Sequence, residues 1–288
     1  MRKQLLGYAF IAPWLLGFLA FTAIPFFTSV YLSFTRYNIV TPPVWVGLAN
    51  YRMLLNRDPL FWKSLWVTFR FALAAVPLGV LAGVALALLL NQNVRGIGIY
   101  RSIFFLPSIM PSVATSILFL WILNPEIGLL NGLLKRFGVI GPAWLQDKDW
   151  APWSLVLMSL WGVGGSMVIY LAGLKDIPVH LYEAAVIDGA NPLLRLRHVT
   201  LPMLSPVIFF NLVMGVIGAF QYFTESYIMT QGGPEDSTLF YALYLFRRAW
   251  RYLDMGYACA MAWILFAVIM AVTGLLFRMQ RRWVHYDA

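Results

Sequence analysis

Apolar residues in this chain gather into long blocks, separated by polar stretches rich in Gly, Pro and Arg. Six blocks, at residues 8–34, 65–90, 102–123, 153–174, 204–225 (ragged at its ends) and 256–277, are long enough to span a bilayer. Crossing a hydrocarbon core takes about 20 mostly apolar residues. Residues 102–123 and 256–277 contain no Asp, Glu, Lys or Arg. Backbone groups in lipid must be satisfied within the segment, which leaves helices or a closed barrel. A barrel strand would alternate in polarity, and residues 82–90 (AGVALALLL) do not. The pattern predicts an all-α, polytopic integral membrane protein with six transmembrane helices. Pro13, Pro25, Pro77, Pro107 and Pro111 fall inside the spans and are expected to kink them.

Composition sharpens this reading. Of 288 residues, 61% are hydrophobic and 11% charged, whereas an ordinary soluble domain is about one-quarter charged. A net charge of +9 would suggest nucleic acid in a soluble chain. Here the basic residues flank the apolar blocks, where they meet lipid phosphates, so the partner is a bilayer and no nucleic acid is expected. Cys259 is the single cysteine, and His180, His198 and His285 lie far apart. Neither an intramolecular disulfide nor a zinc site is expected. Arg2 and Lys3 before an apolar run imitate a secretory signal, but the run from residue 5 to 34 is too long, and an uncleaved first helix is expected. Lys and Arg divide evenly between the two sets of connecting segments. One set is much shorter, and the flanks of the first and last helices are basic, so both termini are expected to be cytoplasmic.

The most informative connection is residues 175–203, KDIPVHLYEAAVIDGANPLLRLRHVTLPM. Asp176 can cap a short helix that tolerates Pro178 in its first turn, and Gly189 can end it in the left-handed conformation. Residues 179–188 make roughly 15 Å of helix, too short to span. Asn191-Pro192 repeats the start signal, and Leu193, Leu194, Leu196 and Val199 give a second short apolar face. Two short helices joined by a tight turn, lying flat on the membrane face, would form a rigid knob. Ala184, Ala185 and Ala190 allow a partner backbone to come close, and Glu183 and Asp188 supply charge. The alternative is an amphipathic loop resting on headgroups. Such helices carry several Lys or Arg on the polar face, whereas residues 179–188 have none, so a protein partner is favoured.

Glu183-Ala184-Ala185, Asp188-Gly189-Ala190, then Thr200-Leu201-Pro202 and Pro206 closely resemble the EAA loop of ABC-importer permeases. Leu196 stands where that family usually has an aromatic, and Pro192 is unusual in the gap. Asn50-Tyr51, Asp58-Pro59 and Phe61-Trp62 resemble the segment after the first helix in carbohydrate-type permeases. Arg101-Ser102 through Leu106-Pro107 and Pro111 are similar to their third helix. Thr230, Gly232-Gly233-Pro234, Tyr244, Ala249 and Gly256-Tyr257-Ala258 are similar to their last external loop and sixth helix. The resemblance covers nearly the whole chain. It is to the carbohydrate and glycerol-phosphate permeases of the maltose-transporter superfamily.

This resemblance implies one type I ABC-importer transmembrane domain over residues 1–288, in the inner membrane of a bacterium or archaeon, with residues 175–203 as a cytoplasmic coupling loop. It implies a second homologous permease, giving a heterodimer, two copies of a cytoplasmic ATPase and an extracytoplasmic solute-binding protein. In such importers the EAA helix sits in a cleft of the ATPase, and closure of the ATPase dimer on ATP swings the spans from inward- to outward-facing. Glu183 would make a polar contact with the ATPase, Ala184 and Ala185 would pack against it, and Asp188, Gly189 and Ala190 would form the turn. The chain itself has no G-x-x-x-x-G-K-[ST] motif, and none of its five lysines follows a glycine. ATP is therefore expected on the partner subunits, with no cofactor of the chain's own, and neither H-E-x-x-H nor G-x-S-x-G hints at an enzyme.

Candidate solute contacts lie at the end of the fifth span, where Gln221, Tyr222 and Glu225 set an amide, a hydroxyl and a carboxylate beside aromatic rings. Sugar rings offer hydroxyls and C–H faces to such a mixture. The alternative is polar contact between packed helices. Ser112, Thr115, Ser116, Ser159 and Ser166 are expected to bond within or between helices, and Trp66, Trp153 and Trp283 to anchor span ends. Arg70, six residues into the second span, could reach the membrane surface, pair with Glu225 or bind an anionic solute. An ion-driven secondary transporter remains the second reading. It asks for a titratable mid-membrane group and an inverted repeat. Only Glu225 approaches the first requirement, and no clear repeat is seen.

Overall fold

The computed structural model describes the backbone of residues 2–285 and the side chains of residues 10–285. The side chains of Arg2 and Lys3, used above for orientation, lie outside the described ones. In chain order the helices are α1 (Arg2–Phe18), α2 (Ile24–Ser33), α3 (Ala49–Arg57), α4 (Pro59–Leu90), α5 (Ile97–Ile109), α6 (Ser112–Ile122), α7 (Leu129–Arg136), α8 (Ala151–Trp161) and α9 (Gly164–Asp176). They continue with α10 (Val179–Ile187), α11 (Pro192–Arg195), α12 (Leu201–Phe220), α13 (Thr224–Met229), α14 (Tyr241–Phe246) and α15 (Met255–Gln280). One short antiparallel pair, β1 (Thr35–Arg36) and β2 (Val44–Trp45), interrupts the helical pattern with Thr35 opposite Trp45.

Among the described residues, four apolar helical stretches are long enough to cross a membrane: Phe10–Ser33, Pro59–Leu90, Pro192–Met229 and Met255–Gln280. The other two expected spans are bent pairs. α5 and α6 meet at 99°, and α8 and α9 at 48°. The sharp bend follows from Pro111. A residue before proline is pushed out of the helical region, and Met110 is extended at ψ 136. Pro13 and Pro77, by contrast, sit inside helices that run on through them. Neighbouring groups in a membrane bundle can satisfy the carbonyl that a proline leaves free.

The chain divides into two compact units. The first, Met1–Trp62 with Tyr244–Ala267, is organised around Asp58. Its Oδ1 accepts from the amides of Leu60 (3.0 Å) and Phe61 (3.2 Å), capping α4 with Pro59 at the first helical position. Its Oδ2 accepts from the hydroxyls of Tyr244 (2.6 Å) and Tyr257 and from Nη2 of Arg248 (3.2 Å). The Arg248 guanidinium in turn lies 4.6–5.6 Å from the ring centres of Tyr244, Tyr252 and Tyr257. Burial pushes the Asp58 carboxyl up, but these tyrosine and amide hydrogen bonds and the Arg248 charge outweigh it and hold it below its ordinary value.

The second unit, Lys63–Leu243 with Val268–Ala288, has α9 at its core. Met167, Tyr170, Leu171 and Leu174 are buried against Val84, Ala87 and Leu90 of α4 and Leu204 of α12. Gly164 lets the start of α9 come against the backbone of α5, since a β-carbon there would collide with the carbonyl oxygen of Phe104. Arg101 closes the far end of α4 by donating from Nη2 (2.8 Å) and Nε (3.2 Å) to the Leu90 carbonyl, a favourable place for a cation at a helix C-terminus.

Candidate functional site

Two features of the second unit carry the candidate chemistry. The first is the connection between α9 and α12. α9 runs through Asp176, so Asp176 is not the cap expected from the sequence. Ile177, extended before Pro178, ends α9 instead, and Pro178 stands at the N-cap of α10. α10 covers Val179–Ile187 and closes as expected. Gly189 is left-handed at φ +76, with its amide bonded to the Val186 carbonyl (3.0 Å) and the Ala190 amide to the Ala185 carbonyl (2.8 Å). This pair of bonds is the Schellman ending.

Asn191 then caps α11, its Oδ1 accepting from the Leu194 amide at 2.9 Å. The second short helix is not a separate element, however. α11 passes through a widened π-turn, Leu196–Thr200, directly into α12. Nothing between Leu193 and Leu201 breaks a helix, and the widened turn accommodates Pro202, which has no amide hydrogen to give.

α10 has two faces. Leu181 and Tyr182 pack against the buried cluster of α4, α9 and α12, and the Tyr182 hydroxyl meets Thr200 Oγ1 at 3.1 Å. Val179, Glu183, Ala184, Val186, Ile187, Asp188 and Gly189 are exposed, while Ala185 and Ala190 are half-buried. Ile187 is 85% accessible. α10 is thus fastened to the buried cluster by one side and offers the other, largely apolar, side without a cover among the described residues.

The second feature is a pair of cavities. One, of about 180 Å³, lies where three helix breaks converge. Ser108, Met110 and Ser112 come from the α5–α6 bend, Gly162 from the α8–α9 break, and Tyr222 and Glu225 from the end of α12 and the start of α13. Irregular backbone at membrane depth is tolerated only where protein or a water-filled cavity covers it. The other, of about 340 Å³, shares Ser159, Gly162 and Tyr222 with the first and adds Ser166, Tyr170 and Asn211. The hydroxyls of Tyr170 and Tyr222 are buried and unpartnered. Tyr222 is clamped by Phe71 (4.4 Å between ring centres) and Phe240 (4.9 Å), so its hydroxyl cannot swing away.

Of the three residues singled out at the end of the fifth span, Tyr222 and Glu225 wall one cavity together. Gln221 is exposed and walls neither cavity. Four of the five expected hydroxyls bond to nearby carbonyls, Thr115 to Pro111, Ser116 to Ser112, Ser159 to Val156 and Ser166 to Val163, whereas Ser112 lines the cavity. Tyr170 was not anticipated. Its one sequence signal is a hydroxyl in the middle of an apolar span, which needs a partner there.

Residues 75–286 match the family described as the binding-protein-dependent transport system inner membrane component. The chain belongs to that family. The permease is 46% identical over 291 residues to the "Probable ABC transporter permease protein YesP" of Bacillus subtilis (strain 168), covering 100% of this chain and 94% of that protein. It is 34% identical to the sulfoquinovosyl glycerol transport system permease protein SmoG of Agrobacterium fabrum, over 98% of this chain and 92% of that one. Among solved structures it is similar in fold to a chain of a bacterial alginate ABC transporter crystallised with an alginate pentasaccharide-bound periplasmic protein. That match has a TM-score of 0.86 and 20% identity, covering 100% of this chain and 98% of the other. The permease therefore has the fold of an ABC-importer transmembrane domain.

Proposed function

We propose that this chain is one permease subunit of an ATP-driven saccharide importer, a single transmembrane domain with both termini in the cytoplasm. It pairs with a second, homologous permease, two copies of a cytoplasmic ATPase and an extracytoplasmic binding protein. α10 is the element by which the ATPase moves the spans. The observation that carries this reading is the two-sided packing of α10: an uncovered face with Glu183 and Ala184, and an opposite face seated on the core of α4, α9 and α12. A push on the outer face reaches the spans without passing through a flexible joint. Differential binding of α10 by the ATP-bound and empty ATPase would bias the spans between two states. Asp188, Gly189 and Ala190 hold the turn, and Ala185 keeps the partner-facing edge low.

A saccharide is favoured by the cavities and by the relatives. Two orphaned tyrosine hydroxyls, an asparagine and several serines face space lined by aromatic rings, which suits alternating hydroxyls and C–H faces. Relatives that include the sulfoquinovosyl glycerol permease and the arabinooligosaccharides permease AraP of Bacillus subtilis are named for such solutes. Tyr170, Tyr222 and Glu225 are the pocket residues in this reading, with Gln221 at its margin.

Native mass spectrometry of the chain, gently extracted from its own membrane, tests the assembly. A complex with a second six-span protein and two ATPase chains is expected. Recovery alone, together with uptake that follows an ion gradient and ignores ATP, would replace this reading with secondary transport.

The tyrosines give a second test. Tyr170→Phe and Tyr222→Phe remove hydroxyls that have no partner in the empty protein, so thermal stability should hold or rise. Solute affinity should fall by about 2- to 10-fold for each, because a hydrogen bond to the solute contributes roughly 0.5–1.5 kcal/mol. Both variants binding solute as tightly as wild type would remove these hydroxyls from the pocket.

A further inference from the structure

A third cavity, of about 380 Å³, lies on the other side of Phe71, the residue it shares with the tyrosine-lined cavity. Its wall includes Arg70, Trp153, Phe240 and Ser237. Arg70 is its only charged residue, is exposed, and stands about 16 Å along α4 from Pro59, just before the uncharged run of residues 71–90. A charged side chain on a membrane-spanning helix is costly, and such groups face a cavity, a partner or the membrane surface. Arg70 makes no ion pair or hydrogen bond with any described residue, and the pairing with Glu225 considered from the sequence does not form.

The carboxylates of the neighbouring loop are committed elsewhere. Glu235 holds Lys148 (3.3 Å), and its carbonyl accepts from Lys63 Nζ (2.6 Å), while Asp236 lies 3.8 Å from Lys63. Ser237 Oγ is buried and also lacks a partner. Trp153, expected from the sequence to anchor a span end, also lines the cavity. An unpaired guanidinium, an unpaired hydroxyl and an indole lining one cavity suit a saccharide ring that bears an oxyanion.

We infer that this cavity is a recognition site for an acidic saccharide, with Arg70 taking the anionic group through its forked donors, Trp153 lying against the ring and Ser237 bonding a hydroxyl. The inference rests on the saccharide-importer reading and narrows its solute to an anionic one. A lipid phosphate offers Arg70 the same oxyanion, and the test separates the two sources.

The assembled transporter is reconstituted in nanodiscs, and its affinity for digalacturonate is compared with that for its uncharged methyl diester and for maltotriose. Wild type is expected to prefer the acid over the ester by at least tenfold. Arg70→Gln should lower acid affinity far more than ester affinity, bringing that ratio close to one, and Arg70→Lys should restore part of it. A wild type that binds the neutral saccharides but prefers no acid overturns the inference and leaves the saccharide importer standing. One that binds no saccharide overturns both. Equal loss of acid and ester in Arg70→Gln, or an acid preference that survives in it, also overturns the inference. If Arg70→Gln instead alters stability only in discs of anionic lipid and leaves the ratio unchanged, Arg70 serves a lipid headgroup and the inference fails.

Discussion

Gly189→Val is expected to cut ATP-driven uptake by about 5- to 30-fold while leaving the spans folded. Gly189 sits at φ +76, and nothing lies within 4 Å of where its β-carbon would be. The penalty is therefore one of backbone conformation and not of a clash. A left-handed residue with a side chain costs ~1–2 kcal/mol, more for a β-branched one, and 1–2 kcal/mol shifts a local equilibrium by a factor of ~5–30. That cost falls on the two Schellman bonds and on the step from α10 to Asn191, and so, in the proposed coupling, on the angle at which α10 would meet the ATPase. Gly189→Asn is the control, because Asn enters the left-handed region readily; it should stay within about twofold of wild type. The measurement is uptake into proteoliposomes alongside the yield of ATPase that co-purifies. Wild-type uptake by the valine variant would mean that α10 does not transmit the motion.

Asp58→Ala is expected to give the largest loss of stability, about 3–5 kcal/mol, which is the range for removing one partner of a buried ion pair. The side chain of Asp58 is 6% accessible and that of Arg248 23%. The alanine would leave the Arg248 guanidinium and the hydroxyls of Tyr244 and Tyr257 without their shared acceptor. It would also uncap α4, where Oδ1 now takes two amides. For a domain of this size the unfolding midpoint should fall by roughly 6–20 °C. Arg248→Lys should also destabilise, since an ammonium keeps the charge but loses both the fork and the stacking on three tyrosine rings.

The pH dependence has a definite sign. The folded Asp58 carboxyl lies below its ordinary value, so the folded state holds its proton more weakly than the unfolded chain. The stabilisation is complete above the unfolded value of about 3.9 and is lost as pH falls through the folded value below it. Asp58→Asn removes that titration, so its midpoint should lose less than wild type's over the same acid range. Identical acid sensitivity in the two proteins would show that the network does not carry this charge.

Much of the candidate site was legible in advance. The turn at Gly189 and the cap at Asn191 are local events, set by which residues tolerate a positive φ or can reach the amide three residues on. Asp176 was misread because the cap signal and Pro178 lie too close together to tell which ends what. The restriction that proline places on Ile177 decided it. The merging of α11 with α12 was hidden by Pro192 and Pro202, which mark starts in an isolated peptide but are absorbed by a widened turn inside a long helix. Tyr222 and Glu225 stand out in the sequence by their polarity in an apolar block, and they line one cavity together. Tyr170 was not, because a single tyrosine in a span resembles any other aromatic until its hydroxyl is seen to lack a partner.

By itself the sequence determined that the chain lives in a bilayer, that its elements are helices, and that the segment after α9 folds into a short helix closed by a glycine. These properties follow from apolar run length, from backbone hydrogen bonding in lipid and from single-residue φ preferences, all of which act over a few neighbouring residues. Only the tertiary structure decided that two of the expected spans are bent pairs, that helix breaks open onto a cavity, and that Arg70 lines a cavity with Trp153 and Ser237 and pairs with no carboxylate among the described residues. It also decided that Asp58 meets Tyr244, Arg248 and Tyr257 across nearly two hundred residues of chain. Those are questions of which side chains meet across helices, and helix packing settles them through contacts that a pattern along one chain does not encode.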